Sequence, residues 1–311
     1  MKNPYFSIIV ALAPDKEVDM LLESLKGINY APEKYEIIIE KGTNISINRN
    51  RGVAKARGEI IAFVDSDAIV SHNWLNNAER FFVQYHDIYV VGGPQLTPEN
   101  DTFFGKISEL ALSSVFGGAT IRNRYRKAKL NFDSGEKELA GVNMFCRKEV
   151  FNQVQFNLAF FWCGDDVSFL NECVEKGFKV AYSPDIVVYH QRRSNFFSLA
   201  KQIFNYACVR PRIRRTKENR LTTFLFAVPT IFLFYLVFLP VLFWLNAYLI
   251  VPLFLYLICN LLSTIIIPQR KRAFGNSNAS SDIFNYPPQL RCRIYLGVIQ
   301  KTLWKNRWLV L

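Results

Sequence analysis

Two pairs of acidic residues occupy positions from which they could do chemistry together. Asp65-Ser66-Asp67 directly follows an apolar run at 60–64 that is typical of a buried strand. Gly164-Asp165-Asp166 comes much later in the chain, and His190 ends a further β-branched run. Open α/β sheets bind their ligands at the carboxyl ends of the strands. The first pair could therefore bind a cation together with substrate phosphates, and the second pair could take up a proton.

Each of these residues also has a simpler interpretation. Asp65-Ser66-Asp67 could form a solvated turn. Asp165 and Asp166 precede an apolar helical pattern, and acidic residues at a helix start are stabilised by the helix dipole. This role is compatible with catalysis, because two adjacent carboxylates raise the affinity of one of them for a proton. His190 is either a third metal ligand or a histidine satisfied at the end of a strand.

Strand and helix patterns alternate in the first two thirds of the chain. Short β-branched runs occupy 6–13, 35–40, 60–65, 88–92 and 180–188. Helical patterns lie between them, among them 17–25 and 74–84. This alternation predicts an α/β fold with a mainly parallel sheet and crossover helices.

Two uncharged apolar stretches follow at 221–245 and 247–267, with only Asn246 between them. Each is long enough to cross about 30 Å of hydrocarbon, which predicts a transmembrane helical hairpin. A buried helix pair in a soluble domain is the alternative. Pro229, Pro240 and Pro252 are compatible with membrane helices.

The net charge of +12 comes from the back of the chain. Residues 1–190 contain 21 Lys and Arg against 24 Asp and Glu, whereas residues 191–311 contain 17 against 2. The near-neutral front argues against nucleic-acid binding, and the basic residues indicate a membrane surface. Because they flank both ends of the hairpin, the positive-inside rule places both flanks and the preceding domain in the cytoplasm. These flanking residues are Arg210, Arg212, Arg214, Arg215, Lys217 and Arg220, then Arg270, Lys271 and Arg272.

An ordered set of motifs resembles a known family. The stretches 48–52 and 58–67, which end in Asp65-Ser66-Asp67, look like the nucleotide-sugar half of a family 2 glycosyltransferase with the GT-A fold. The acceptor half is matched by Gly92-Gly93-Pro94, by Gly141-Val142-Asn143-Met144 with Arg147, by Gly164-Asp165-Asp166 and by 184–190. The resemblance covers about residues 5 to 215. It implies a Rossmann-like, mostly parallel catalytic domain.

The resemblance also implies roles for single residues. Asp65, Asp67 and His190 would hold a divalent cation, Mg²⁺ or Mn²⁺. Asp166 would be the catalytic base, with Asp165 orienting the base or the acceptor, and Gly141 and Asn143 would lie on the acceptor side. The nucleotide-sugar donor would contact Pro14, Glu17, Glu40, Arg49, Asn50, Asp65, Ser66 and Asp67.

Two departures from the family pattern limit these expectations. Glu40-Lys41-Gly42-Thr43 stands where the family often has an acidic pair followed by Gly-Ser, so the sequence does not indicate which nucleotide the donor carries. The synthase pattern Gln-x-x-Arg-Trp is matched only loosely at 202–206, which, with a single hairpin, argues against a processive polymer synthase. An apolar face near 196–208 predicts a helix lying on the membrane. The basic stretch 122–129 is either a phosphate-binding segment or a solvated loop.

The predicted organisation has three parts. Residues 1–220 form the GT-A domain with the interfacial helix, residues 221–267 form two transmembrane helices, and residues 268–311 form a cytoplasmic linker and a basic amphipathic tail. The predicted function is inverting, metal-dependent transfer of a sugar to a lipid-linked or membrane-proximal glycan acceptor in cell-envelope polysaccharide synthesis, at the cytoplasmic side of the cell membrane. The alternatives are a polyprenyl-phosphate glycosyltransferase and a non-catalytic membrane scaffold. The expected partners are the nucleotide-sugar donor, the acceptor and membrane lipids, without nucleic acid.

Overall fold

The computed structural model describes residues 6–161, 163–213 and 220–274. Nine strands lie within these residues: β1 (Phe6–Leu12), β2 (Tyr35–Lys41), β3 (Ile60–Val64), β4 (Ala68–Val70), β5 (Val90–Gly92), β6 (Gln95–Leu96), β7 (Asn143–Arg147), β8 (Val180–Tyr182) and β9 (Val188–His190). The α-helices are α1 (Asp19–Lys26), α2 (Ile45–Lys55), α3 (Trp74–Gln84), α4 (Phe103–Ser113), α5 (Val115–Gly118), α6 (Asp165–Glu175), α7 (Phe196–Val209), α8 (Arg220–Leu245) and α9 (Val251–Phe274). The predicted tail and most of the linker before it lie outside the described residues.

The central sheet has six strands in the order β2-β1-β3-β7-β5-β8. All of its pairings are parallel except those of β7, which runs antiparallel to both β3 and β5. The predicted α/β class with a mostly parallel sheet is therefore confirmed.

The sheet is covered on both faces, which explains why β3 is apolar at every position. Alternate residues of β3 point into two separate cores, Ile60, Ala62 and Val64 into one and Ile61 and Phe63 into the other. Helices α1 and α3 pack into the first core, and α6 packs into the second. A strand buried on both faces reads as a continuous apolar run, which is the pattern observed in the sequence.

The predicted strand at 180–188 is wrong as a single element. β8 ends at Tyr182 in the large sheet, and β9 begins at Val188 in a second, three-stranded sheet of order β4-β9-β6. The break follows from the sequence Ser183-Pro184-Asp185, since proline supplies no N–H to a ladder. Because of this break, β9 pairs with β4, and His190 lies opposite Ala68, the residue directly after Asp67.

The apolar stretches after residue 220 form two helices separated by a short 3-10 helix, Ala247–Ile250. By length and composition, one described helix can cross a membrane, with Ala227–Leu245 reaching a mean hydropathy of 2.3. The described apolar part of the second, Ala247–Ser263, is shorter than a full crossing. The described residues thus support one spanning helix where two were predicted. The Tyr256 ring of α9 contacts Phe116 of α5, with 5.3 Å between the ring centroids.

Candidate active site

A three-residue ligand set forms where β3 turns into β4. The N–H of Ala68 donates to the carbonyl of Asp65 at 3.1 Å, which closes a tight turn around Ser66. Because Ala68 pairs with His190, the imidazole Nε2 lies 3.0 Å from Oδ1 of Asp67. One ligand atom each from Asp65, Asp67 and His190 lies within 4.8 Å of the others. Two carboxylates and an imidazole are groups that could hold a divalent cation.

Arg49 of α2 lies between the two acidic pairs. One nitrogen of its guanidinium donates to Oδ2 of Asp165, and the other lies 3.4 Å from Oδ1 of Asp65. Its side chain is 5% exposed, and the guanidinium stacks over the Phe156 ring at 5.3 Å. A buried cation is tolerated only when it is paired, and here the partners are the acids of the two predicted half-sites. Arg49 thus joins the two halves into one cluster.

The second acidic pair begins α6. Asp165 is buried, and Asp166 is partly accessible. Oδ2 of Asp166 accepts a hydrogen bond from the N–H of Gly141 at 2.9 Å, and its Oδ1 accepts one from the N–H of Val167 at 2.8 Å. Both acids lie in the first turn of α6, so the structure is compatible with the capping role and the catalytic role together.

Burial changes the acidity of this cluster. It raises the pKa of Asp165 to about 6; the neighbouring charge of Arg49 opposes this rise and that of Asp166 adds to it. Burial also raises the pKa of Asp65, against the attraction of Arg49 and His190. Carboxylates of raised pKa that lie close together are typical of sites that handle protons.

Gly141 approaches this cluster with its backbone. A Cβ at this position would lie 2.7 Å from a guanidinium nitrogen of Arg49. Glycine is therefore required for the main chain to pass over Arg49 while its N–H reaches Asp166. The predicted acceptor-side residue Gly141 thus lies against Arg49 and Asp166.

The family model described as "Glycosyltransferase like family 2" matches residues 1–208. The chain belongs to this family. No curated protein matches the sequence.

Two solved structures match part of the chain at low sequence identity. S. aureus TarS 1-349 in complex with UDP-GlcNAc is 15% identical, with 62% of this chain and 60% of that chain covered and a TM-score of 0.44. GalNAc-T7 with UDP, GalNAc and Mn²⁺ is 12% identical, with 62% and 44% covered and a TM-score of 0.44. The chain thus spans less than two thirds of the length of either structure.

The first turns of α2 hold the segment that precedes the second acidic pair of this family 2 domain. The side chains of Asn44 and Ser46 donate to the carbonyls of Leu158 and Phe160, at 3.1 and 2.8 Å. The Asn50 amide exchanges two hydrogen bonds with the backbone of Phe156, at 2.8 and 3.0 Å. Sequence reasoning missed this role, although the Asn44-x-Ser46 start of a helix is a recognisable cap and polar anchor.

Several residues of the predicted donor and acceptor sets lie apart from the cluster or are bonded elsewhere. The Asn143 amide is fully buried, accepting from Trp74 Nε1 at 2.9 Å and donating to the Ile186 carbonyl at 2.7 Å. Glu40 pairs with Lys55 at 2.5 Å. Pro14 and Glu17 are exposed in the loop between β1 and α1. Their ligand contacts, like that of the buried Ser66, stay predictions.

The basic stretch 122–129 begins inside a 3-10 helix, Ala119–Tyr125. Side chains of this helix form hydrogen bonds with the segment that contains Glu136 and Glu138. A guanidinium nitrogen of Arg124 donates to the carbonyl of Glu136, and Asn123 donates to the Glu138 carboxylate at 2.6 Å. The first half of this stretch is therefore held against the domain, and its role stays a prediction.

Proposed function

We propose that this protein is a membrane-bound, inverting, metal-dependent glycosyltransferase. It would transfer a sugar from a nucleotide-diphosphate donor to a hydroxyl of a lipid-linked or membrane-proximal glycan. The observation that carries the proposal is the arrangement around Arg49, where a cation-binding set lies on one side and the acid pair of α6 on the other.

The donor half is assigned to the turn after β3. Asp65, Asp67 and His190 are the residues that would hold Mg²⁺ or Mn²⁺, and the bound cation would offset the charge that develops on the departing diphosphate. Nε2 of His190 lies 3.0 Å from Oδ1 of Asp67, so the two side chains face the same position, where the cation would bind. Arg49 balances part of the negative charge behind Asp65, which keeps the acids together when the donor is absent.

The acceptor half is assigned to Asp166. Its two oxygens each accept one backbone hydrogen bond, which holds the carboxylate in a fixed direction while leaving it partly accessible. In the proposed step the acceptor oxygen forms a bond to the anomeric carbon as the bond to the diphosphate oxygen breaks, and Asp166 takes the hydroxyl proton. A single displacement of this kind inverts the anomeric centre.

The membrane half of the proposal is supported by exposed apolar helices. The spanning segment Ala227–Leu245 has no buried side chains, and α7 exposes Phe196, Phe197 and Phe204 by 66%, 82% and 67%. An apolar helix face next to a membrane helix is typical of an interfacial segment. We assign residues 1–220 to the catalytic domain, 221–267 to the membrane and 268–311 to a cytoplasmic tail.

The test is transfer by enriched membranes. They are incubated with a panel of labelled nucleotide sugars, with and without Mn²⁺ or Mg²⁺, and the label is followed into the lipid extract. We expect label from one donor, in a cation-dependent reaction. The mass of the labelled lipid separates an extended glycan from a polyprenyl monophosphate monosaccharide. No cation-dependent transfer from any donor, together with no nucleotide binding, would contradict the proposal in favour of a scaffold.

Two substitutions test the assigned roles. Asp67→Asn and Asp166→Asn should each lower the rate of transfer by about a hundredfold or more, since each removes a charge that acts on the reacting atoms. Asp87→Asn is the matched control, because Asp87 is an exposed carboxylate that pairs with Lys179 at the surface. Wild-type turnover in either of the first two variants would overturn the assignment.

A further inference from the structure

We propose that Glu136 and Arg210 are positioning residues that lock the end of α7 onto α6 and thereby set the direction of the acid pair. This inference rests on the proposed function, because it assigns the control of the proposed catalytic base. Neither residue belongs to the set indicated by the sequence motifs.

The lock is a buried carboxylate with three donors. Arg210 binds Glu136 through both ends of its guanidinium, Nη1 to Oε2 at 2.8 Å and Nη2 to Oε1 at 2.5 Å. Asn171 of α6 donates to the same Oε2 at 3.1 Å. The Glu136 side chain is 5% exposed, so loss of Arg210 would leave a buried charge without its cationic partner. Since Asn171 and Asp165 belong to the same rigid helix, Glu136 links Arg210 directly to the element that carries the acids.

A second set of contacts lies at the other end of the acid pair. Gly164, which precedes Asp165, has a φ of +84°, and a Cβ there would lie 2.6 Å from Val209 Cγ1 and 3.3 Å from Ile213 Cδ1. The thiol of Cys163 faces the carbonyl of Asn205 at 4.0 Å. Asn205, Val209 and Ile213 are spaced by four residues, so they follow one side of the chain from α7 into the turn after it.

These contacts join the C-terminal end of α7 to the domain. No residue of α7 is buried, and much of its surface consists of exposed apolar side chains. The described contacts of its C-terminal end with the domain include those at Gly164 and Glu136 and the electrostatic interaction of Tyr206 with Tyr125 and Asp166. If α7 lies on the bilayer as proposed, the position of α7 on the membrane affects the direction of the Asp166 carboxylate through these contacts.

The experiment uses the full-length protein in its membranes, with three variants and a control. Glu136→Gln and Arg210→Gln break the ion pair, Arg210→Lys keeps the charge but loses the two-pronged contact, and Arg212→Gln removes an exposed arginine from the same 3-10 turn. We measure kcat, the donor KM and the rate at which a thiol reagent modifies Cys163, read by peptide mass mapping. Cys163 is a suitable reporter because burial and the two neighbouring acids raise the pKa of its thiol, which makes it slow to react while α7 is in place.

We expect kcat to fall by about tenfold to a hundredfold in Glu136→Gln and Arg210→Gln, because a small misplacement of a reacting group costs this much. The donor KM should change by less than about twofold, because the donor side is untouched, and a wild-type KM also reports an intact fold. Cys163 should react faster in both variants, Arg210→Lys should recover part of kcat, and Arg212→Gln should match wild type.

Two results would overturn the inference. One is a kcat within about twofold of wild type in both variants that break the ion pair; the other is a loss of kcat with an equal rise in donor KM, which indicates a purely structural pair. The thiol readout keeps the test separate from the proposed function. If wild type transfers no sugar from any donor, the proposed function fails, and an unchanged Cys163 rate in Arg210→Gln would then show that the lock fails as well.

Discussion

At the scale of single residues, one guanidinium explains how two acidic pairs distant in sequence share a site. Arg49 was expected to contact the nucleotide, yet its nitrogens are used by Asp165 and Asp65, and the aromatic rings of Phe63 and Phe156 lie against it. A cation in this position offsets the repulsion between carboxylates that would otherwise separate. Arg49 is thus an organising residue of the cluster, whatever further contact it makes to a donor.

Substitution of Arg49 should therefore affect stability as well as activity. Arg49→Gln leaves Asp165 buried without its cationic partner, which typically costs about 3–5 kcal/mol. Arg51→Gln is the matched control, because Arg51 is an exposed arginine of the same helix and should change stability by less than about 0.5 kcal/mol. Thermal unfolding of the two purified variants measures the difference. Equal melting temperatures for both would show that Arg49 is not paired as described.

The pKa of Asp165 makes a prediction about pH. Since its pKa is raised to about 6 from an ordinary value of 3.8, the folded chain binds a proton between these values that the unfolded chain releases. The stabilising contribution of this site is therefore complete below about pH 4 and is lost as the pH rises through about 6. Asp165→Asn cannot titrate, so the melting temperature of wild type relative to this variant should fall over that interval. A difference that is constant from pH 4 to 7 would contradict the shift.

At the scale of elements, the start of α6 depends on a glycine that the helix pattern alone does not explain. Gly164 and Gly177 flank this helix, and both have a φ of +84°. A Cβ at Gly164 would overlap Val209, whereas nothing lies within 4 Å of one at Gly177. Alanine at either position has the same energetic cost from its backbone conformation. The difference in stability between the two alanine variants therefore measures the packing of Val209 against Gly164.

Gly164→Ala should therefore destabilise the protein by more than Gly177→Ala does. The backbone cost of alanine at this φ is about 1 kcal/mol in both variants, and the overlap with Val209 should add about 1–3 kcal/mol at Gly164 only. The measurement is thermal unfolding of the two variants side by side, with transfer activity as a second readout. If Gly177→Ala were equally destabilising, the contact between Val209 and α6 would carry no energy.

The elements that could be predicted from the sequence are those with a strong local pattern. The apolar runs gave β1, β2 and β3 to within a residue or two, and the amphipathic pattern gave α3 with its observed bounds. β7 was missed because its place between β3 and β5 depends on pairings far apart in sequence, which leave no local period. The small sheet was missed because β4 and β6 are only three and two residues long, too short to show a strand pattern in the sequence.

The sequence motifs predicted correctly which residues meet at the metal-ligand set. They did not predict which motif residues form hydrogen bonds inside the core instead. Asp65, Asp67 and His190 come together as the motifs implied, because β9 pairs with β4. Asn143 belongs to an equally clear motif, but its amide satisfies Trp74 and two buried carbonyls. A sequence does not reveal which partner a polar side chain will find once long-range packing has buried it, and every buried amide needs one.

At the scale of the whole molecule, a second apolar surface lies on α4 and α5. α4 and α5 expose Phe103, Ile107, Val115 and Phe116, and Phe116 contacts Tyr256 of α9. The apolar face of α7 is predicted from the sequence, whereas this surface is not. Exposed apolar patches of this kind mark interaction surfaces, and the Phe116–Tyr256 contact places this one beside the second apolar helix.

The orientation of the chain can be tested at Asn246. This residue separates the two apolar stretches and caps the short helix after it, its side chain accepting from the N–H of Tyr248 at 3.0 Å. If both basic flanks are cytoplasmic, the turn at Asn246 is the part of the hairpin that reaches the opposite face of the membrane. A cysteine there should react with a membrane-impermeant maleimide added to intact cells.

The matched variant is Lys201→Cys, an exposed position on α7 in the domain assigned to the cytoplasm. We expect intact cells to label Asn246→Cys above the wild-type background of native cysteines, and Lys201→Cys to label only after the membrane is opened. Labelling of Lys201→Cys in intact cells would place the catalytic domain outside. Labelling of Asn246→Cys only in opened cells, together with Lys201→Cys, would show that α8 does not carry the chain across the membrane.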